Sequence, residues 1–194
     1  DSGRVLAEHD GLSMYTHGQR ARVGGLSGRW FVVGKRLSEN TLTVCSGGDH
    51  PALLSTSLLI SQPDWVAGAP PARLATAGAM RCAVRVRHTG PISPALIELV
   101  GVSGADKVAA VRVTFDEPTK SAPLQHLAMY DGDVCLGGAT IVGLGPSVHD
   151  LQRCSGEVAR SEAIGRYDEV ANEYQALQRA ASGDGAPGAT PGQV

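Results

Sequence analysis

The segment Arg81–Arg87 constrains the fold more than any other. Cys82, Val84 and Val86 fall on one side of an extended chain, and Arg81, Ala83, Arg85 and Arg87 fall on the other. A period of two is the spacing of a β-strand and does not build a helical stripe. This strand has an apolar face to bury and a cationic face to leave outside. Partners for it are at hand in the strand-like runs Ala95–Val100, Val108–Phe115, Leu127–Tyr130 and Asp133–Val142, the last two joined by Asp131-Gly132, a tight-turn pair. Several short strands at this spacing predict a small closed or nearly closed barrel.

The N-terminal part reads the same way. Trp30–Val33 is a compact apolar run after the Gly24-Gly25 turn, and Thr41–Cys45 alternates like a half-buried strand. Ser38–Asn40 serves as the hairpin turn between them, and Gly47–Pro51 is a breaker. Ser57–Ile60 is expected to close a small all-β unit over 1–62. Residues 63–79, rich in Ala, Gly and Pro, read as a linker, and the barrel as 80–145. With 25 Gly and 11 Pro the chain favours turns and short strands, and with 4% aromatics its core must rest on Val, Leu, Ile and Ala. From 146 onward the pattern changes. Residues 157–181 carry Ile164, Tyr167, Val170, Ala171, Tyr174 and Leu177 at helical steps, which predicts a helix outside the barrel. Residues 182–194 are low-complexity and are expected to be disordered. The expected fold is therefore mainly β: a small β domain, a barrel, then a C-terminal helix and a tail.

Charge is uneven. Residues 1–89 hold ten Lys/Arg against six Asp/Glu, while 90–194 hold seven against thirteen. Two windows contain no acid: Gly11–Ser38, with Arg20, Arg22, Arg29, Lys35 and Arg36, and Trp65–Ile97, with Arg73, Arg81, Arg85 and Arg87. Such windows suit a phosphate-binding surface, and equally a solvated face. The four cysteines form no C-x-x-C pair and have no His at zinc-finger spacing, so they read as free thiols, with Cys82 and Cys135 as small core residues. His9, His17, His50, His126 and His149 form no metal-ligating cluster, and no run approaches the ~18 apolar residues of a membrane helix. The first residue is Asp1 rather than Met, and the reading adopted is that the numbering begins inside a longer protein.

Four strings carry a resemblance. They are Gly11-Leu12-Ser13-Met14-Tyr15-Thr16-His17-Gly18-Gln19-Arg20 with Gly24-Gly25-Leu26 and Trp30-Phe31-Val32-Val33; Asp49-His50-Pro51-Ala52-Leu53; Met80-Arg81-Cys82 leading into Arg85-Val86-Arg87-His88; and Tyr130-Asp131-Gly132-Asp133-Val134-Cys135-Leu136-Gly137-Gly138 with Ile141. In this order, over roughly residues 8–145, they resemble the C-terminal portion of the tRNA-specific 2-thiouridylases. The short turn Gly18–Gly25, the pair Arg87-His88 and the stretch Leu144–Ser147 with Leu151-Gln152 look like the mitochondrial, eukaryotic type.

The resemblance implies a central β domain and an elongation-factor-like β-barrel that grip tRNA. It also implies an N-terminal adenylating domain, absent here, that binds ATP with Mg and holds two catalytic cysteines. In such enzymes the C2 carbonyl oxygen of the wobble uridine is adenylated, and a cysteine persulfide then delivers sulfur with loss of AMP. A sulfur-relay donor protein would act through that domain, and the implied location is mitochondrial, with plastid or cytoplasm as alternatives. No catalytic residue and no cofactor are assigned to these 194 residues: Gly24-Gly25 and Gly137-Gly138 read as β turns or bulges rather than phosphate loops.

By resemblance, Arg87, His88 and Gln125 match tRNA-contacting positions. Arg85 shares the cationic face, and Arg87 and His88 could otherwise be a solvated strand end. Ala122-Pro123-Leu124-Gln125 departs from the usual Thr-Pro-Gly-Gln by losing the glycine. Gln19 and Arg20 either bind phosphate or tie the first domain to the adenylating domain. Trp30 and Trp65 could stack on bases or fill a core or interface. Three functions stay open on the residues alone: the tRNA-binding portion of a sulfurtransferase, a non-catalytic adaptor that keeps the barrel, and a small-molecule-binding barrel.

Overall fold

The computed structural model describes residues 4–102 and 108–153. The helix expected over 157–181, the tail beyond it and Cys154 lie outside these residues.

The first unit is a three-stranded antiparallel sheet in the order β1 (Arg20–Ala21), β2 (Trp30–Arg36), β3 (Thr41–Ser46), preceded by a single 3-10 turn at Leu12–Met14. Leu12, Ala21, Val32 and Cys45 are its buried apolar residues, and the register sets Ala21 and Val32 on one face and Cys45, opposite Phe31, on the other. Asn40 closes the β2–β3 hairpin at φ 48, a left-handed value that Asn tolerates better than most residues. A 3-10 turn at Pro51–Leu53 leads out of the unit. His50 caps it by accepting the Ala52 N–H on Nδ1 at 3.1 Å, and Leu53 is buried beneath. The motif Asp49–Leu53 is thus the joint between the two units.

The second unit is a closed six-strand barrel. Its strands are β4 (Ser55–Ser61), β6 (Ala79–Arg85), β7 (Ser93–Val102), β8 (Val108–Thr119), β9 (His126–Asp131) and β10 (Val134–Leu144), with β5 (Asp64–Trp65) between β4 and β6 in sequence. Around the barrel the order is β4-β8-β7-β6-β9-β10, and β10 pairs back to β4 to close it. Leu58, Ile60, Val84, Ile97, Val111, Val113, Leu127, Met129 and Ile141 are fully or almost fully buried inside. The alternation foreseen for 81–87 is present: Val84 and Val86 point inward, Cys82 packs against the core, and Arg81 and Arg87 stay exposed.

Two expectations about the domain layout need correction. Ser57–Ile60 does not close the first unit. It lies in β4, whose register Leu58↔Val113 and Ile60↔Ile141 makes it a stave of the barrel. The run Leu58-Leu59-Ile60 is buried on both faces: Leu58 and Ile60 enter the barrel core, and Leu59 packs on the other side with Ala110, Val100 and Val142 from β8, β7 and β10. Residues 63–79 are not a bare linker either. β5 extends the β4 edge along β10 through Trp65↔Gly137, and α1 (Ala72–Ala77) inserts the fully buried Leu74 into the barrel core. Gly78 ends that helix at φ 72, returning its N–H to the Leu74 carbonyl at 2.8 Å.

Gly137-Gly138 is a bulge, as read. The register shifts between Cys135 and Gly137, and Gly137 sits at φ 152. A Cβ there would run into the Asp64 carbonyl oxygen, and one on Gly138 would stand 2.8 Å from the Leu127 carbonyl oxygen. The pair lets β5 and β9 close on β10 from both sides. The same bulge corrects the reading of Cys135. It breaks the alternation before the buried row 137–139–141–143, and Cys135 is left exposed while Cys45 is the buried thiol. The last described element, α2 (Val148–Arg153), is capped reciprocally. Ser147 donates N–H and Oγ–H to Asp150 Oδ2 at 3.0 and 2.7 Å, and Asp150 N–H donates to Ser147 Oγ at 3.1 Å.

Candidate nucleic-acid interface

Folding sorts the cations that sequence grouped together. Arg81 Nη1 donates to Asp116 Oδ1 at 2.7 Å, Arg73 pairs with Asp131, and Lys120 Nζ lies 3.0 Å from Asp49 Oδ1. Arg36 pairs with Glu39 at 3.3 Å. The windows without acid are therefore not free of acid in space. Among the described residues, Arg20, Arg22, Arg29, Lys35, Arg85, Arg87 and Arg153 have no carboxylate within 4.0 Å. Those seven keep an uncompensated charge for an anionic partner.

Four of the six candidate residues meet at one end of the barrel. The β6–β9 register pairs Ala83 with Tyr130 and Arg85 with Ala128. Arg87 and His88 continue past the end of β6, and Gln125 stands just before β9, so the antiparallel pairing brings the two segments to the same rim. Arg87 and His88 are exposed in a turn closed by the Gly90 N–H on the Arg87 carbonyl at 2.9 Å. Arg85 and Gln125 are half-buried, and Arg85 Nε and Gln125 Oε1 are covered yet have no hydrogen-bond partner. A covered polar atom without a partner costs about 1–3 kcal/mol, so these two side chains are held at the rim at some cost to the fold.

The segment before Gln125 solves the lost glycine by strain. Leu124 takes φ 66, the conformation a glycine adopts freely. Two backbone bonds to Ile141 hold the segment there, Leu124 N–H to the Ile141 carbonyl and Ile141 N–H to the Gln125 carbonyl, each 2.8 Å. The Leu124 side chain is 83% exposed.

Gln19 and Arg20 belong to the first unit. The Gln19 Oε1 accepts the Thr16 N–H at 2.8 Å, so its carbonyl is spent on the turn, whereas Arg20 is exposed on β1 opposite Phe31. Trp65 is half-buried against the barrel core, and Trp30 is half-buried in the first unit.

Between the units lies a cleft of about 970 Å³ that sequence reading missed. His17, Trp30, Lys35, Leu124, His149 and Arg153 are among its lining residues. Its walls come from segments distant in sequence, and the one available signal was the departure at Leu124. His17 sits in the wall with Nε2 covered and unpartnered; burial lowers its pKa, and an interaction with the Val33 backbone opposes the shift in part. Among the described residues no three His, Cys, Asp or Glu side chains could hold a metal ion. The two described α-helices run six residues each and are entered through Pro70-Pro71 and Pro146-Ser147, so neither offers a glycine-rich phosphate cradle.

The family model described as a tRNA methyl transferase PRC-barrel domain matches residues 1–46, and the one described as an aminomethyltransferase beta-barrel domain matches residues 55–141. The boundary between them coincides with the joint before β4. Mitochondrial tRNA-specific 2-thiouridylase 1 of Gallus gallus is 38% identical over 151 residues, covering 77% of this chain and 34% of that protein. The tRNA-specific 2-thiouridylase MnmA of Delftia acidovorans is 43% identical over 160 residues, covering 75% of this chain and 40% of that protein. The mitochondrial protein of Pongo abelii is 38% identical over 163 residues, covering 82% and 37%. Mitochondrial and bacterial relatives fall in one range of identity, and the chain spans roughly a third to two-fifths of their length. With both barrel domains in order and relatives of one name matching most of its length, the chain belongs to the tRNA-specific 2-thiouridylase family.

Proposed function

We propose that this chain is the tRNA-binding portion of an enzyme that 2-thiolates the wobble uridine of tRNA. The observation that carries the reading is the barrel rim, where uncompensated Arg85 and Arg87 stand with His88 beside an unpartnered Gln125. Guanidinium groups without an acidic partner, Arg87 exposed and Arg85 half-buried, suit phosphate, and a half-buried amide suits a base edge or a ribose hydroxyl. Arg20 would extend the cationic surface onto the first unit, while Gln19 would act there through its amide N–H groups.

The chemistry is assigned elsewhere in the enzyme. An adenylating domain binding ATP and Mg would activate the uridine C2 oxygen, and a cysteine persulfide there, loaded by a sulfur-relay protein, would supply the sulfur. Cys45 and Cys82 do not suit that role: burial raises both pKa values, that of Cys82 to about 11 with Asp131 adding to the effect, which disfavours the nucleophilic thiolate. A mitochondrial location goes with the reading, supported by the names of the chicken and orangutan relatives; plastid and cytoplasm are the alternatives.

The test uses the purified 194-residue chain in two assays. It is expected to bind tRNA in preference to duplex DNA of equal charge, and to release no AMP from ATP in the presence of tRNA. Failure to retain tRNA would favour the adaptor reading. ATP-dependent AMP release that is lost on replacing one of its cysteines would place the chemistry in this chain and contradict the assignment.

A further inference from the structure

We propose that Leu124 is an RNA-contacting residue, an exposed part of the lining of the inter-unit cleft that lies against the face of an unpaired nucleobase. This rests on the tRNA-binding reading and adds a base contact to the phosphate contacts of the rim. Three observations carry it. Leu124 is 83% exposed, so packing does not account for it. It sits at φ 66, where a leucine is strained and a glycine is not, so the backbone conformation gives no reason for a leucine at this position either. The hydrogen bonds that flank it to Ile141, both 2.8 Å, fix its direction instead of letting the loop relax. A lone exposed leucine is ordinary surface; one kept in a strained conformation beside a candidate ligand residue is a presented group.

The surroundings select RNA as the occupant. Leu124 lines the cleft together with Pro123, Lys35 and Arg153. Among the described residues Lys35 and Arg153 have no acidic partner, and the carboxylate in the wall, Asp150, is engaged by Ser147. An apolar side chain in a cleft that also carries two uncompensated cations suits a base with its neighbouring phosphates, because a base has an apolar face whatever its sequence. Gln125, the next residue, stands ready to bond that base or its ribose.

Leu124→Gly is the informative variant because it relieves the backbone strain and so folds. Filter binding to tRNA across a salt series is expected to show about a five- to tenfold weaker affinity, no more than the low end of what an aromatic stacking partner contributes, because leucine offers only an apolar contact. The slope of log affinity against log salt should stay that of the unmodified chain, since leucine displaces no counterion. Leu124→Met, which keeps an apolar side chain of similar size, should restore affinity to within about twofold. Unchanged affinity in Leu124→Gly overturns the proposal. So does a variant that alters self-association in size-exclusion chromatography while binding tRNA normally, because Leu124 would then serve a protein contact. Absence of tRNA binding by the unmodified chain would refute the tRNA reading itself, a separate result.

Discussion

Arg81 on β6 reaches across β7 to Asp116 on β8, with Nη1 to Oδ1 at 2.7 Å. The two residues are 35 positions apart, and the pairing removes Arg81 from the cationic face that its strand displays. Both partners are substantially exposed, so the bridge is worth about 0–1 kcal/mol. Arg81→Ala is therefore expected to leave tRNA affinity and its salt dependence unchanged, and to lower stability by less than about 1 kcal/mol. Nitrocellulose filter binding and urea denaturation check the two parts. A loss of affinity equal to that of Arg87→Ala would mean that Asp116 releases Arg81 to the RNA.

Leu124 makes an opposite prediction about stability. Its left-handed backbone costs roughly 1–2 kcal/mol, and a glycine there would recover this while adding about 0.5–1 kcal/mol of unfolded-chain entropy. Leu124→Gly should hold or slightly raise the urea midpoint. Leu124→Val should lower it, because a β-branched side chain fits φ above zero worst. A lowered midpoint for the glycine variant would mean that the exposed side chain packs in solution.

The thiols should separate by access. Cys135 is exposed, whereas Cys45 is buried and Cys82 is half-buried with its pKa raised to about 11. In native protein at pH 8, iodoacetamide is expected to label Cys135 and to spare Cys45 and Cys82, as peptide mass mapping would show. Rapid modification of Cys82 would mean that the β6–β9 face opens readily.

These residues also show what the sequence could reveal. The β6 alternation was legible because a half-buried strand imposes a period of two on neighbouring side chains, and Val84 and Val86 answer to it. β4 was misassigned because Leu58-Leu59-Ile60 is buried on both faces and carries no period, so only its pairing with β8 and β10 tells which sheet it joins. Arg87, His88 and Gln125 came from motif resemblance, and their meeting on one rim depends on strand register. The ion pairs that remove Arg73, Arg81 and Lys120 from the cationic surface, and the cleft behind Leu124, join segments too distant in sequence for any local pattern to show.

His17 gives the fold a pH dependence of definite sign. Burial lowers its pKa below the ordinary 6.5, so the unfolded chain takes up the proton first. The unfolded state binds more protons as pH falls through that region, and stability declines with it; above it, the contribution of neutral His17 is fully present. Melting temperatures measured from pH 7.5 down to 5.5 should fall more steeply for the unmodified chain than for His17→Gln. Parallel curves would show that His17 titrates alike in both states.

The central claim is that the barrel rim grips tRNA through Arg85 and Arg87. The direct measurement is the salt dependence of tRNA affinity for the 194-residue chain, with and without Arg85→Ala and Arg87→Ala together. Each lost phosphate contact should flatten the log–log slope by roughly 0.7–0.9, and the loss should be similar for every tRNA tried, because phosphate contacts carry no base information. A double variant whose slope and affinity equal those of the unmodified chain would remove the rim from the interface and contradict the claim.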